Sequence, residues 1–120
     1  MRNTWVSIVL GTTFVLGCGS SYPPPTQPLA DVQASQRSAQ ELGATNVPEA
    51  QLHLQLAKEE ENRARTLMRD DENERAAEVL KRAKADADLA LALTHEHRAK
   101  AKLDETAKKS QATTTGGAEQ

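Results

Sequence analysis

The stretch Asp70-Asp71-Glu72-Asn73 interrupts a long run of helix-forming residues in the second half of the chain. Aspartate and asparagine favour turns because their short side chains hydrogen-bond to the nearby backbone. Asp71 is followed three residues later by Glu74, and this spacing fits a capping box at the start of a helix. The ordered oxygen ligands and the internal glycine of a calcium loop are missing, so no calcium site is predicted. We therefore predict an acidic turn at which two long helices fold back on each other.

The helix before the turn is predicted to begin at Pro48 and to end near Arg69. Proline suits the first helical position, where a missing N–H costs nothing, and Asn46 with Glu49 fits a second capping box. Apolar residues recur at helical spacing along this segment; they are Ala50, Leu54, Ala57, Ala64, Leu67 and Met68. We interpret the charged run 58–65 as a solvated face.

The helix after the turn is predicted from Glu74 to Lys108, and its apolar positions alternate at spacings of four and three. This inner seam comprises Ala76, Leu80, Ala83, Ala87, Ala90, Thr94, His97 and Ala101. At about 1.5 Å per residue, this helix is longer than the one before it, so we expect it to overhang unless another helix folds back along it. The candidate interaction face of the helix comprises Leu80, Ala83, Ala87, Leu89, Leu93 and Leu103.

A shorter helix is predicted over 29–42, and Gly43 follows it where a left-handed cap is needed. The proline-rich residues 18–28 are predicted to form an extended spacer, and residues 111–120 a disordered tail. The predicted fold class is therefore all-α. A short helix is followed by a long antiparallel helical hairpin, and together they form a small helical bundle over 29–110.

The first 17 residues have the order of a secretory signal. Arg2 follows the initiating residue, and residues 5–17 are uncharged and mostly apolar. This run is shorter than the roughly 20 residues that a membrane-spanning helix needs. It ends in Val15-Leu16-Gly17-Cys18, which resembles a bacterial lipobox, with cleavage expected between Gly17 and Cys18.

Cys18 is the only cysteine of the chain, so it has no partner for an internal disulfide. The lipobox resemblance implies that acyl chains such as palmitate are attached to the sulfur of Cys18 and then to the amine that cleavage frees. Several acyl chains together make a stable membrane anchor. Gly19 comes next, and by resemblance to enteric lipoprotein sorting it favours the outer membrane, with the domain facing the periplasm. The alternatives are a secreted protein with an incidental cysteine and an uncleaved membrane helix.

Charge and aromatic content argue against several classes of function. Lys and Arg total 15 against 17 Asp and Glu, so no footprint for nucleic acid is present. Trp5 and Phe14 belong to the signal, which leaves Tyr22 as the single aromatic residue of the mature chain. Leucine and alanine alone make a closed pocket hard to build, so we expect neither a small-molecule substrate nor a cofactor.

The three histidines do not form an evident catalytic or metal site. His95 and His97 are two residues apart on a predicted helix, so they point in different directions. His53 is expected opposite residues 91–95 of the hairpin, where a two-histidine metal site with His95 is the alternative to solvated side chains. Once acylated, Cys18 is no longer a nucleophile. We therefore predict no catalytic residue, no metal site and no enzymatic activity.

The pattern over about residues 29–103 resembles the uncharacterised bacterial lipoproteins that carry the domain of unknown function 4398. The matching positions are Gly43-Ala44, Pro48, Ala57, Ala64, Asp70-Asp71, Ala76-Ala77, Leu80, Ala83, Ala85-Asp86-Ala87 and Leu89-Ala90. Asn73 departs from the pattern, which has an aromatic residue just past the turn. The resemblance implies an envelope location and an alanine-rich helical hairpin, and it implies no reaction.

Two functions fit this architecture. In the first, the domain is an interaction or structural module that binds a periplasmic protein partner through the long helix. In the second, the long helix self-associates as a parallel coiled coil along the inner seam, resembling murein lipoprotein. The two turns, at 43–48 and 70–73, fold the chain back on itself and favour the first function. The inner seam is also rich in alanine, so on its own it buries little apolar surface.

Overall fold

The computed structural model describes residues 21–116, with side chains as far as Thr113, and this range contains three α-helices and no strand. Helix α1 spans Thr26–Glu41, a single 3₁₀ turn spans Ala44–Asn46, α2 spans Pro48–Arg69 and α3 spans Asn73–Gly116. Helices α2 and α3 form an antiparallel hairpin, and α1 packs along both, chiefly along α3. The predicted all-α fold, a short helix followed by a long helical hairpin, is confirmed.

The acidic turn ends α2 with a left-handed residue. Asp71 has φ +59°, and its N–H donates to the carbonyl of Met68 (3.4 Å). The N–H of Glu72 donates to the carbonyl of Leu67 (2.9 Å). These two bonds form a Schellman motif, which satisfies the last carbonyls of a helix and usually places glycine at the left-handed position.

Helix α3 begins at Asn73, one residue later than a capping box that starts at Asp71 requires. The N–H of Ala76 donates to the carbonyl of Glu72 (3.0 Å), so Glu72 directly precedes the helix and Asn73 is its first residue. The predicted box of Asp71 with Glu74 is therefore wrong. Asp71 is the left-handed residue that ends α2, and it lies one residue before Glu72, the N-cap position of α3.

The connection between α1 and α2 follows the sequence rules at two positions and departs from them at a third. Gly43 has φ +92°, the left-handed conformation predicted after α1. Pro48 is the first residue of α2, also as predicted. Asn46 does not cap α2, because it belongs to the 3₁₀ turn and the extended Val47 stands before the helix without a side-chain cap.

Two helices are longer than predicted. Helix α1 already begins at Thr26, since Pro28 falls in the first turn, where proline removes no intrahelical hydrogen bond. Helix α3 continues past Lys108 to Gly116, which corrects the predicted disorder for residues 111–116. No proline or glycine precedes Gly116 in this part of the sequence, so no helix-breaking residue ends α3 sooner.

The core consists largely of alanines. The inner seam of α3 is buried at Ala76, Leu80, Ala83, Ala87, Ala90 and Thr94. Helix α1 adds Val32, Gln36 and Ala39, and α2 adds Ala50, Leu54, Ala57, Glu61, Ala64 and Leu67. His97 and Ala101, the last two seam positions, are exposed. A coiled coil along the whole predicted seam therefore requires the bundle to open, because α1 and α2 already cover it as far as Thr94.

Beyond the bundle, α3 continues as a single helix. Every side chain from His95 to Thr113 is exposed. We call residues 95–116 the overhang; at about 1.5 Å per residue it is about 33 Å long. The expected overhang is confirmed, since α1 folds back only along the first half of α3.

Candidate interaction surface

Three of the six residues predicted to form the interaction face lie in the core. Leu80, Ala83 and Ala87 have no exposed surface, so their part of the prediction is wrong. With about 3.6 residues per turn, these positions share the side of α3 that α1 and α2 cover. No partner reaches them while the bundle is folded.

The other three predicted residues lie farther round the helix. Leu93 is half-buried and packs against the core cluster that contains Leu54 and Ala90. Leu89 and Leu103 are 42% and 69% exposed. They are two full heptads apart, so they share one face of α3.

Leu89 and Leu103 belong to a stripe on the outward face of α3. The stripe has spacings of four and three, and it comprises Ala85, Leu89, Ala92, Glu96, Ala99 and Leu103. All six residues are exposed, and at about 100° per residue the stripe lies opposite the buried inner seam. This outer stripe runs from the bundle onto the overhang. Its alanines were not predicted, although the spacing that revealed the inner seam also reveals them.

The bundle and the overhang have opposite net charge. Residues 21–94 contain nine Lys or Arg and thirteen Asp or Glu, whereas residues 95–116 contain five and three. Lys100 Nζ lies 2.6 Å from Glu96 Oε1. The hydrogen bond and charge of Lys100 lower the pKa of Glu96, and Glu96 raises the pKa of Lys100. This exposed ion pair has no net charge, so the remaining cations keep the overhang positive beside an acidic bundle.

The side chain of His53 pairs with a carboxylate of α3. Its Nδ1 lies 2.8 Å from Asp86 Oδ1, and beside this pair Arg82 Nε donates to Glu60 Oε1 (2.9 Å). The level of the two helices agrees with the prediction, since the neighbouring Leu54 packs in one cluster with Ala90, Leu91 and Leu93, but the imidazole itself contacts α3 closer to the turn. His95 lies on the overhang. Within residues 21–113, no three His, Cys, Asp or Glu side chains come together as a metal site.

Glu61 is the one charged side chain of the run 58–65 that the bundle buries. Gln33 Nε2 donates to its Oε1 (2.8 Å), and Arg65 donates to the same oxygen through Nε (3.0 Å) and Nη2 (2.8 Å). Burial by itself raises the pKa of Glu61, but these hydrogen bonds and the Arg65 charge outweigh it, so the pKa lies below its ordinary value. The prediction of a wholly solvated face is wrong here, and Glu61 links α2 to α1.

Asn73 holds the segment before α1 against the turn. Its Nδ2 donates to the carbonyl of Tyr22 (3.1 Å), the residue is 8% exposed, and its buried Oδ1 has no hydrogen-bond partner among the described residues. Tyr22 follows Cys18 by four positions, so the chain reaches the bundle at its turn end. Gly17 and Cys18, the predicted cleavage and lipidation residues, lie outside the described range.

No protein-family model, curated protein or solved structure matches the chain. None of the helices within residues 21–116 combines the length and the hydropathy that crossing a bilayer requires.

Proposed function

We propose that this chain is a lipid-anchored protein of the cell envelope, held in the outer membrane through Cys18, whose helical periplasmic domain binds another protein and catalyses no reaction. The observation that carries the proposal is the outer stripe. Leu89 and Leu103 stay exposed on a helix that runs far beyond its own bundle. Exposed apolar side chains that recur at heptad spacing are typical of a helix that packs against a partner.

The anchor is supported by the lipobox-like Val15-Leu16-Gly17-Cys18. The contact of Asn73 with Tyr22 bears on which end of the bundle lies near it. A fully extended chain spans at most about 3.6 Å per residue, so the four steps from Cys18 to Tyr22 cover at most about 14 Å. The turn end of the bundle is therefore the anchored end. Membership of the lipoproteins with the domain of unknown function 4398 is part of this proposal, supported by the residue pattern and by the helical hairpin.

Growth of cells with an alkyne-tagged palmitate tests the anchor. The parent chain is expected to carry the tag and to sediment with membranes, whereas Cys18→Ser is expected to lose both properties. Equal labelling of the two chains contradicts the assignment of Cys18.

Photo-crosslinking in the same cells tests the binding surface. A benzoylphenylalanine at position 89 or 103 is expected to form protein adducts, while the same residue at the exposed Lys58 of α2 serves as the matched control. Adducts at position 58 alone, or at none of the three positions, contradict the proposal.

A further inference from the structure

We infer that the protein bound by the outer stripe is a second copy of this chain, whose α3 lies antiparallel against the first. The inference rests on the proposed function and names the partner of the same surface. It follows from three properties of the stripe: the order of large and small residues, the position of its one acid, and the charge of the helix on either side.

Residue size favours the antiparallel pairing. When Leu89 of one copy lies opposite Ala99 of the other, Leu103 lies opposite Ala85 in the same register. Each layer then combines one large and one small side chain, which fills the space between two helices evenly. Every contact occurs twice about a two-fold axis near residue 94, as a symmetric dimer requires.

The position of Glu96 argues against a parallel pair. In a parallel pair each stripe residue faces its own copy, so leucine meets leucine, alanine meets alanine, and Glu96 meets Glu96. The layers are then uneven, and two like charges share the interface. In the antiparallel register Glu96 instead lies opposite the small Ala92, so the two Glu96 side chains are offset by about 6 Å along the helix axis rather than level, and each keeps its ion pair with Lys100.

Charge favours the same arrangement. A parallel pair sets one positive overhang beside the other, whereas the antiparallel pair sets each positive overhang beside the acidic bundle of the second copy. The register brings Lys100 and Lys102 of one copy level with Asp86 and Asp88 of the other. Complementary charge at this rim specifies the direction of pairing more than it adds affinity.

The arrangement has a consequence for the membrane. With the two-fold axis near residue 94, the two turns lie at opposite ends of the dimer, about 60 Å apart at about 1.5 Å per residue. The contact of Asn73 with Tyr22 brings the segment after Cys18 to each turn. The dimer therefore carries one anchor at each end and lies along the bilayer. Confinement to one surface also raises the local concentration that favours pairing.

Disulfide crosslinking of the full-length chain tests the register, since Cys18 is the only native cysteine and acylation removes its thiol. Leu89→Cys and Ala99→Cys are introduced singly and together, and the detergent-solubilised protein is oxidised. The double variant is expected to form covalent dimers and neither single variant to do so. Within one chain the two positions are about 15 Å apart, beyond the reach of a disulfide.

The matched control pairs Leu89→Cys with Ala101→Cys, because Ala101 is an exposed alanine on the opposite face of α3, and no dimer is expected. Covalent dimers from Leu89→Cys alone indicate parallel pairing and overturn the inference. Absence of dimers from the double variant also overturns it.

A mass measurement on the full chain does not depend on oxidation. Leu103→Glu is expected to halve the sedimentation mass of the parent at unchanged helicity, while Ala101→Glu leaves the dimer intact. A monomeric parent, or equal masses for the two variants, overturns the inference.

Two results separate this inference from the proposed function. If the parent chain crosslinks through its own Cys18, the thiol is free, which contradicts the anchor. The introduced cysteine pairs 89/99 and 89/101 are then tested in a Cys18→Ser background, where they report the register alone. A photo-adduct of position 89 with a different protein, without covalent dimers, keeps the proposed function and overturns the antiparallel dimer.

Discussion

Replacing Asp71 by glycine is expected to stabilise the bundle, because Asp71 occupies a backbone position that suits glycine. Its φ of +59° closes α2 in the Schellman motif. The left-handed conformation costs a residue with a Cβ about 1–2 kcal/mol. Glycine avoids this cost but loses about 0.5–1 kcal/mol more conformational entropy on folding. The midpoints of these two ranges predict a gain of about 0.75 kcal/mol for Asp71→Gly.

The charge of Asp71 enters the same comparison. A carboxylate at the C-terminal end of α2 meets the negative end of that helix dipole, while the nearby start of α3 offers a positive end. Asp71→Asn removes the charge and keeps a short side chain that tolerates the left-handed conformation. We expect its stability between those of the parent and Asp71→Gly. Asp71→Ala keeps the Cβ without a polar group, so it is expected to fall below the parent.

Urea unfolding followed by circular dichroism measures these differences. With a slope of about 1 kcal/mol per molar urea, the midpoint of Asp71→Gly is expected to rise by about 0.75 M. In thermal unfolding the same gain corresponds to about 3–6 °C. If Asp71→Gly is no more stable than Asp71→Ala, the left-handed backbone at this turn does not limit stability, and the account of the hairpin closure fails.

Three further outcomes are expected from the core, the buried acid and the contact with the N-terminal segment. Leu80→Ala removes a fully buried side chain and is expected to lower the free energy of unfolding by about 2–5 kcal/mol, whereas Leu52→Ala, at an exposed leucine of α2 outside the outer stripe, changes it by less than about 0.5 kcal/mol; thermal unfolding compares them. Because the folded-state pKa of Glu61 is lowered, its stabilisation is present above the ordinary glutamate pKa of about 4.3 and is lost as the pH falls from there through the lower folded value. Glu61→Gln should therefore flatten the fall of the melting temperature below about pH 4.3, and identical acid profiles for parent and variant contradict this assignment. Asn73→Ala removes the hydrogen bond to Tyr22, so the fluorescence anisotropy of Tyr22 in the chain without its signal, where it is the single aromatic residue, is expected to fall below that of the parent; an unchanged anisotropy shows that another contact holds the segment.

The parts of the fold that the sequence predicts are those in which one residue restricts the backbone strongly. Gly43 marks the left-handed residue after α1, and Pro48 marks the first position of α2, because few other conformations suit these residues. The turn at 70–73 is predictable as a turn. The roles within it are not, since Asp71 is equally suited to capping α3 and to closing α2, and the backbone hydrogen bonds of α2 decide between them.

The candidate surface was only partly predictable, because burial depends on where the other two helices lie. The spacing of Leu80, Ala83 and Ala87 identifies a helix face, but spacing alone does not say whether that face packs inside the molecule or outside it. Glu61 is the opposite case, in which a residue predicted to be solvated is buried. Its carboxylate lies within a charged run, and its hydrogen-bond partner Gln33 comes from α1, which the sequence of α2 does not reveal.

The outer stripe requires an explanation that neither the bundle nor the helix itself provides. Residues 95–116 continue a helix already nucleated in the bundle, so each further residue adds only a propagation step. Charged residues such as Lys and Glu propagate a helix nearly as well as alanine, and helix formation therefore does not demand alanine and leucine in one row. The core does not demand them either, because the stripe lies on the side of α3 opposite the inner seam. What remains is a row of five apolar residues and Glu96 at coiled-coil spacing that crosses from the bundle to the overhang, and a second helix is the partner that we propose for it.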